Sequence, residues 1–193
     1  DSDWATTAFG AVEFILERLK VQLREQGARY DLVDAVLSFV ADDDPQVSGR
    51  ANSRDLLQIT QRVAALSSLL DSEDGKNLLA GYRRAVNILQ IEEKKDSRSY
   101  TDPVDQELLA MDEEVALANA IKATDVAVAA KVAADDYEAA MASLATLRAP
   151  VDAFFEAVLV NDPDTAIRSN RLNLLALLRD TMHLVADFSK VAG

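Results

Sequence analysis

The sequence predicts an all-α protein, a bundle of roughly seven to eight helices that includes one long antiparallel helical pair. Only six Gly and four Pro occur among 193 residues, and Ala, Leu, Glu, Arg and Lys recur at the three- and four-residue spacing of helices. No segment sustains the alternation of apolar and polar residues that indicates a strand. Because 49% of the residues are apolar, a chain of this length can bury a core without disulfides or metals.

Three helices are predicted in the first third of the chain. The first ends at Gly27, a residue suited to the left-handed backbone that often closes a helix, and its apolar stripe is formed by Phe9, Val12, Ile15, Leu16, Leu19 and Leu23. A short second helix runs from Asp31 to about Phe39. The acids and proline of Ala41-Asp42-Asp43-Asp44-Pro45 interrupt the pattern. Apolar spacing resumes in a third helix at Leu56, Ile59, Val63, Leu66 and Leu70.

The fourth helix follows a predicted turn at Asp71-Ser72-Glu73-Asp74-Gly75 and continues to about Lys94. After it, the polar run from Lys95 to Asp102, with Pro103 next to it, is the best candidate for a flexible connection. We place a boundary between a helical lead-in region, residues 1–72, and a second helical domain, residues 73–193. The alternative is that both regions pack as one unit.

The second half of the chain supplies the predicted helical pair and two further helices. Residues 111–147 are rich in Ala and acidic residues, and Asp135 and Asp136 in their middle are suited to cap the second helix of the pair. Pro150 is predicted to start a short helix, since proline is favoured at the first helical position. A last long helix is predicted from about Thr165 to Phe188.

The residue inventory offers no self-contained active site. There is no Cys, and His183 is the single histidine, which excludes thiolate nucleophiles, Ser-His-Asp triads and multi-histidine metal sites. The scattered glycines form no phosphate loop. The acidic pair Glu113-Glu114 is interpreted as a solvated helix face and Asp135-Asp136 as a helix start. We therefore expect no cofactor or metal in this chain, and an exposed surface position for His183.

Charge and hydropathy limit the partners. No apolar run approaches the roughly 18 residues that span a bilayer, and no signal peptide is recognisable, so we expect a cytoplasmic protein without a membrane partner. The absence of an initiator Met predicts a piece of a longer protein. A net charge of −13 repels nucleic acid. We expect no DNA partner, and any RNA contact would require a local basic stripe.

One such stripe is predicted on the fourth helix. Its basic and amide side chains recur at three- and four-residue steps and share one face: Arg83, Arg84, Asn87, Gln90 and Lys94. Arginine and asparagine suit both stacking on unpaired RNA bases and hydrogen bonding to their edges. The alternative interpretation is a solvated helix face without a ligand.

The last helix carries further candidates. On a helical wheel Arg168, Arg179 and His183 fall in one sector outside the apolar arc, and we expect them to face solvent together. Arg171 falls inside that arc and needs a partner, for which Asp152 is the candidate. Arg171 and Asn170 are accordingly interpreted as structural.

Three segments resemble one family. They are Glu17 to Gly27 (ERLKVQLREQG), Asn77 to Leu89 (NLLAGYRRAVNIL) and Ala149 to Val158 (APVDAFFEAV). In order and spacing they are similar to the C-terminal region of the β subunit of bacterial glycyl-tRNA synthetase. The second and third segments are similar to the helical anticodon-binding domain, called the DALR domain, that this subunit shares with arginyl-tRNA synthetase.

The resemblance implies a function that the residues alone do not. It implies a non-catalytic, anticodon-binding part of a glycine-tRNA ligase, which binds tRNA(Gly) within an α2β2 tetramer. The α subunit would carry the adenylate-forming site, so ATP and Mg belong to the whole enzyme. Between Asp102 and Arg148 ten acidic residues stand against three basic ones, and we expect that face not to contact RNA. This acidity favours the alternative of a helical protein-interaction scaffold within the synthetase, without direct RNA contact.

Overall fold

The computed structural model describes residues 3–42 and 55–192 and contains α-helices, 3-10 helices and no strand in these ranges. The all-α prediction is confirmed. The helices are α1 (Asp3–Glu25), α2 (Tyr30–Asp42), α3 (Leu56–Asp71), α4 (Glu73–Asp96), α5 (Asp112–Ala133), α6 (Tyr137–Ala145), α7 (Arg148–Ala157) and α8 (Thr165–Met182), with 3-10 turns at Gln106–Leu108 and Phe188–Lys190. None of the helices described is both long enough and apolar enough to span a membrane.

Local sequence signals set most helix ends. Gly27 follows α1 with φ of +92°, the left-handed backbone predicted for a glycine cap. The side chain of Asp136 caps α6 by accepting a hydrogen bond from the Ala139 amide at 3.1 Å, as predicted. The predicted break at Asp43, Asp44 and Pro45 lies outside the described residues, as do the side chains of Phe9 and Val12.

The turn before α4 is shorter than predicted. Ser72 alone separates α3 from α4, and its hydroxyl accepts a hydrogen bond from the Gly75 amide at 3.0 Å. Glu73 and Asp74 thereby belong to the first turn of α4, where acidic side chains interact favourably with the helix dipole. The sequence prediction mistook a charged first helical turn for a loop.

The last helix ends earlier than predicted. Helix α8 stops at Met182 rather than Phe188, because the chain turns after His183 and the Asp187 amide donates to the Ala35 carbonyl of α2 at 2.9 Å. Val185 and Phe188 are nevertheless buried. They join the core from the segment after α8, which includes the 3-10 turn and packs on α2 and α4, instead of from a continued α-helix.

The core is centred on α4 and α8, which pack against each other. Helix α5 contacts α6, α7 and α8, while α3 packs on both α4 and α6. The helical pair is confirmed as α5 and α6, although α6 has 9 residues against 22 in α5. Because α3 contacts helices on both sides of residue 72, packing does not stop at that point. The division into residues 1–72 and 73–193 stays a prediction.

The segment predicted as a flexible connection is held in place. Asp96 is still part of α4, and Tyr100 is buried with its hydroxyl donating to Asp96 at 2.5 Å. Further along, the amide of Asp105 donates to the Asn170 side chain at 2.8 Å, and Asn170 donates back to the Asp105 carbonyl at 2.9 Å. This pair of hydrogen bonds ties the connection to α8.

Candidate RNA interface

Helix α4 separates a buried face from a polar face. Tyr82, Ala85 and Leu89 are buried against the core, as predicted for Tyr82 and Leu89. On the opposite side Arg84, Asn87, Gln90 and Lys94 are exposed. Ile91 lies among these four on the helix surface and is 64% exposed. The structure thus brings four of the predicted residues together on one accessible surface, which we call the α4 face.

The two adjacent arginines of α4 differ in environment. Arg83 is half-buried and its Nη2 donates to the Val191 carbonyl at 2.8 Å, so part of its donor capacity is used in holding the C-terminal segment. Arg84 is exposed, and its guanidinium carbon lies 4.4 Å from the centroid of the Phe155 ring. That distance is typical of a cation–π contact. Arg84 therefore places a planar cation at the surface, in contact with the aromatic ring of Phe155.

Two cations of the α4 face are not neutralised by nearby carboxylates in the described ranges. Of the cations in the described ranges, Lys95, Arg98 and Arg148 pair with nearby carboxylates. In the same ranges Arg84 and Lys94 form no ion pair. Their positive charge is therefore not neutralised locally, which is the property that a phosphate-binding surface needs.

A groove lies beside Arg84, between α4 and α7. Its volume is about 370 Å³. It is lined by Asn77, Ala80, Gly81, Arg84, Arg148, Asp152, Phe155 and Glu156. Within it Arg148 is held by Asp74 at 3.3 Å and by Asp152 at 2.9 Å.

Helices α4 and α7 approach closely at this groove because of Gly81. A Cβ atom at that position would lie 2.5 Å from the Val151 side chain, closer than ordinary van der Waals contact. Glycine therefore allows the two helices to carry Arg84 and Phe155 into contact.

Arg168 is not a solvent-facing residue, contrary to the prediction. Its side chain is 14% exposed and forms ion pairs with Glu92 and, at 2.6 Å, with Asp96. It also donates to the Tyr100 hydroxyl at 3.2 Å and to the Asn161 side chain at 3.1 Å. The hydrogen bond from Arg168 holds the pKa of Glu92 below its ordinary value. Arg168 fastens the end of α4 and the connection after it to α8.

Arg179 and His183 are also engaged, which corrects the predicted solvent-facing cluster. Arg179 is 26% exposed and pairs with Asp180 at 2.8 Å, with Glu93 at 4.0 Å. His183 was expected at the surface but is half-buried, and its Nε2 lies 2.6 Å from the Tyr82 hydroxyl. Burial lowers the pKa of His183 and raises the pKa of Tyr82 to about 12, so both groups are neutral near pH 7 and the imidazole tautomer decides which of them donates.

Arg171 and Asn170 are structural, as predicted, but the predicted partner of Arg171 is wrong. Arg171 pairs with Glu114, whose side chain is fully buried, and with Asp162 at 2.7 Å. Asp152 binds Arg148 instead. Glu114 also accepts a hydrogen bond from the Met111 amide at 2.7 Å, so one carboxylate both caps α5 and neutralises a buried guanidinium.

Phe155 is the residue that sequence reasoning missed. Phe154 is fully buried while Phe155 is only partly so, and the two rings meet edge to face at 5.3 Å. The sequence held a weak signal, because adjacent residues of one helix lie about 100° apart and a Phe-Phe pair need not bury both rings. The second ring of the pair was therefore available for a surface role.

The chemistry available at the α4 face is recognition rather than catalysis. It offers charge, amide donors and acceptors, and a supported guanidinium plane, which are the groups that contact phosphates and unpaired bases. In residues 14–39 and 55–192, no cluster of three or more His, Asp or Glu side chains could hold a metal ion.

Comparison with known proteins shows the family of this chain. The sequence model of the DALR anticodon binding domain matches residues 78–188, from α4 to Phe188. The chain is 49% identical over 183 residues to the glycine–tRNA ligase beta subunit of Rhodospirillum centenum, a match that covers 94% of this chain and 24% of that protein. The chain thus spans about a quarter of the length of the curated relative. It belongs to the DALR anticodon-binding domain family, and its resemblance to the β subunit of glycyl-tRNA synthetase is confirmed.

Proposed function

We propose that the chain binds the anticodon loop of tRNA(Gly) through the α4 face, as a non-catalytic part of a glycine-tRNA ligase β subunit. The observation that carries this proposal is the coincidence of two facts. The family match begins in α4, and the α4 face combines exposed cations without carboxylate partners in the described ranges with exposed amide side chains.

The proposed contacts follow from the environment of each residue. Lys94 contacts phosphates, because its charge is exposed and unneutralised within the described ranges. Arg84, which lies against the Phe155 ring, contacts an unpaired base through its guanidinium group. Asn87 and Gln90, which carry both a donor and an acceptor, contact base edges. Arg83 contributes less, since its Nη2 is bound to the Val191 carbonyl. Arg168 and Arg179 form ion pairs with carboxylates of α4, so they hold this helix in place and do not contact RNA.

The activity of the whole enzyme is part of the proposal. Glycylation would occur at a site on the α subunit of an α2β2 tetramer, with ATP and Mg bound there, in the cytoplasm. The basis is the relative's name, glycine–tRNA ligase beta subunit, together with the sequence resemblance. This chain would contribute the discrimination of tRNA and not the chemical step.

The test is binding of the chain to tRNA(Gly) and to the same tRNA with a swapped anticodon, over a series of salt concentrations. We expect a preference for tRNA(Gly) that weakens with salt, and weaker binding by Arg84→Ala and Lys94→Ala. Lys122→Ala is the matched control, because Lys122 is exposed on α5 and forms no ion pair in the described ranges. Equal, negligible binding of both tRNAs would reject the anticodon-binding proposal.

A protein-interaction scaffold is the second candidate, and two observations favour it. The net charge of −13 opposes RNA binding overall. In addition, α1 exposes Phe14 and Val21 by 67% and 48%, and their i, i+7 spacing places both on one face of the helix, where an apolar patch can form a contact surface. If the scaffold function is correct, Phe14→Ser and Val21→Ser will weaken association of the chain with the α subunit while tRNA binding stays negligible.

A further inference from the structure

We propose that the groove between α4 and α7 binds a single unpaired RNA base that carries an exocyclic amino group. This inference rests on the proposed RNA-binding function and specifies which part of the RNA occupies the groove. The residues that carry it are Arg84, Phe155, Asn77, Asp152 and Glu156.

The stacking element is the Arg84 guanidinium. Its central carbon lies 4.4 Å from the centroid of the Phe155 ring, and Arg84 is exposed to solvent. A base can therefore stack on the outer face of the guanidinium, in the order ring, guanidinium, base. Arginine planes and aromatic rings are the surfaces on which proteins hold splayed RNA bases. The contact with Phe155 restrains the guanidinium at the edge of the groove before the base arrives.

The groove selects a base over a phosphate by its charge. Arg148 is already held by Asp74 and Asp152, so it offers little net charge. Glu156 is exposed and has no ion-pair partner in the described ranges. Arg84 and Arg148 are thus outnumbered by the carboxylates of Asp74, Asp152 and Glu156, so the groove has no net positive charge that would attract a phosphate. A neutral base meets no such opposition.

The same carboxylates favour bases with an amino group. Asp152 and Glu156 line the groove as acceptors, and a carboxylate accepts hydrogen bonds from the exocyclic amino group of cytosine. Adenine and guanine carry comparable amino groups, whereas uracil has none. Asn77 adds a side chain that can both donate and accept. The groove is therefore expected to favour cytosine, adenine or guanine over uracil.

The size and position of the groove agree with this ligand. Its volume of about 370 Å³ is at the lower end of the range of about 300 to 1,000 Å³ found for small-molecule sites. Arg84 lies one helical turn from Asn87, so an RNA strand that places one base in the groove continues along the α4 face toward Lys94.

The test measures affinity for RNA hairpins that share one stem and differ in the loop, which is all cytosine or all uracil. We expect the wild-type chain to bind the cytosine loop more tightly. Arg84→Lys keeps the charge but removes the planar guanidinium, and Phe155→Leu keeps an apolar side chain but removes the ring. Each is expected to weaken binding of the cytosine loop by between about 5-fold and 100-fold. Glu156→Ala is expected to reduce the cytosine-to-uracil affinity ratio.

Two controls keep the outcomes separate. Thermal unfolding shows that each variant is folded, and Lys122→Ala reports the effect of losing any exposed charge. If tRNA(Gly) is bound with anticodon preference while the two loops bind equally and the groove variants match the wild type, the groove proposal is overturned and the RNA-binding function stands. If neither hairpin nor tRNA is bound, both proposals fall.

Discussion

The phenol of Tyr82 and the imidazole of His183 form a hydrogen bond of 2.6 Å between the middle of α4 and the residue that caps α8. Tyr82 is buried, and Phe188 packs against its ring with a centroid distance of 5.9 Å. The pair therefore joins α4, the end of α8 and the segment after it. The contact is on the buried side of α4, opposite the α4 face. It helps to fix the position of this helix.

The Tyr82–His183 bond predicts a stability loss between about pH 7.5 and pH 5.5. Burial lowers the pKa of His183 below its ordinary value of 6.5, so the unfolded chain binds a proton more readily than the folded chain does. Stability is full above the unfolded pKa and falls as the pH drops through it. Urea unfolding over this range is expected to show the loss, with a flatter dependence in His183→Gln. The same slope in both proteins would contradict the assignment.

The acidic groups titrate in a different window. Hydrogen bonds from Arg168 and Asn161 lower the pKa of Glu92, and the stability it contributes is present above its unfolded pKa of about 4.3 and lost below it. Its contribution is therefore nearly constant over the range used for His183, and the two effects are separable in one pH series.

Removal of the Arg171 guanidinium is predicted to be severely destabilising. Arg171 and Glu114 are both buried, and Arg171→Leu leaves the Glu114 carboxylate buried without its cation. Breaking such a pair costs about 3 to 5 kcal/mol. Arg98→Ala is the control, because the Arg98–Asp102 pair is exposed and is worth about 0.5 kcal/mol. The free energy of unfolding in urea measures both, and equal small losses would show that Glu114 finds another partner.

Two glycines of α4 are predicted to respond differently to alanine. At Gly75 a Cβ atom would lie 1.9 Å from the backbone oxygen of Leu69, whereas at Gly81 it would meet only the side chain of Val151, at 2.5 Å. Backbone cannot rotate away but a side chain can. We expect Gly75→Ala to destabilise by about 3 kcal/mol and Gly81→Ala by about 1 kcal/mol, because the branched Val151 side chain must shift and the helix preference of alanine offsets this only in part. Calorimetric unfolding distinguishes the two, and the reverse order would contradict the prediction.

Paired and unpaired arginines and lysines are predicted to affect RNA binding differently. Arg179 is neutralised by Asp180 and Glu93, so Arg179→Ala should leave tRNA affinity nearly unchanged. Lys94→Ala should remove one phosphate contact and reduce the slope of log affinity against log salt by roughly 0.7 to 0.9. Fluorescence anisotropy with labelled tRNA measures both slopes. A larger effect of Arg179→Ala would move the RNA surface from α4 toward α8.

Local chemistry predicted the elements of the fold well. Helical spacing located the helices, and Gly27 and Asp136 marked two of their ends because their conformation or hydrogen bonding depends on the adjacent backbone alone. The end of α8 was missed because it depends on a hydrogen bond from Asp187 to Ala35. The sequence around residue 183 contains no pattern that predicts a hydrogen bond to α2.

The candidate site was also predictable only where it depends on residues close together in the sequence. The exposure of Arg84, Asn87, Gln90 and Lys94 followed from their spacing on α4, since periodicity reports which residues share a helix face. The pairing of Arg168 with Glu92, which lies 76 residues away in sequence, could not follow from it. A helical wheel assigns a long side chain to solvent whenever it lies outside the apolar arc, and it contains no information on carboxylates that other helices bring to that place.

By itself, therefore, the sequence determined the helical class, most helix boundaries, the family and the polar face of α4. Only the tertiary structure decided which cations remain available for RNA, by burying Arg168 and Arg171 among acids and leaving Arg84 on the Phe155 ring. The physical reason is that secondary structure depends on interactions between near neighbours in the chain. The free charge of a side chain depends on the groups that folding brings within a few ångströms of it.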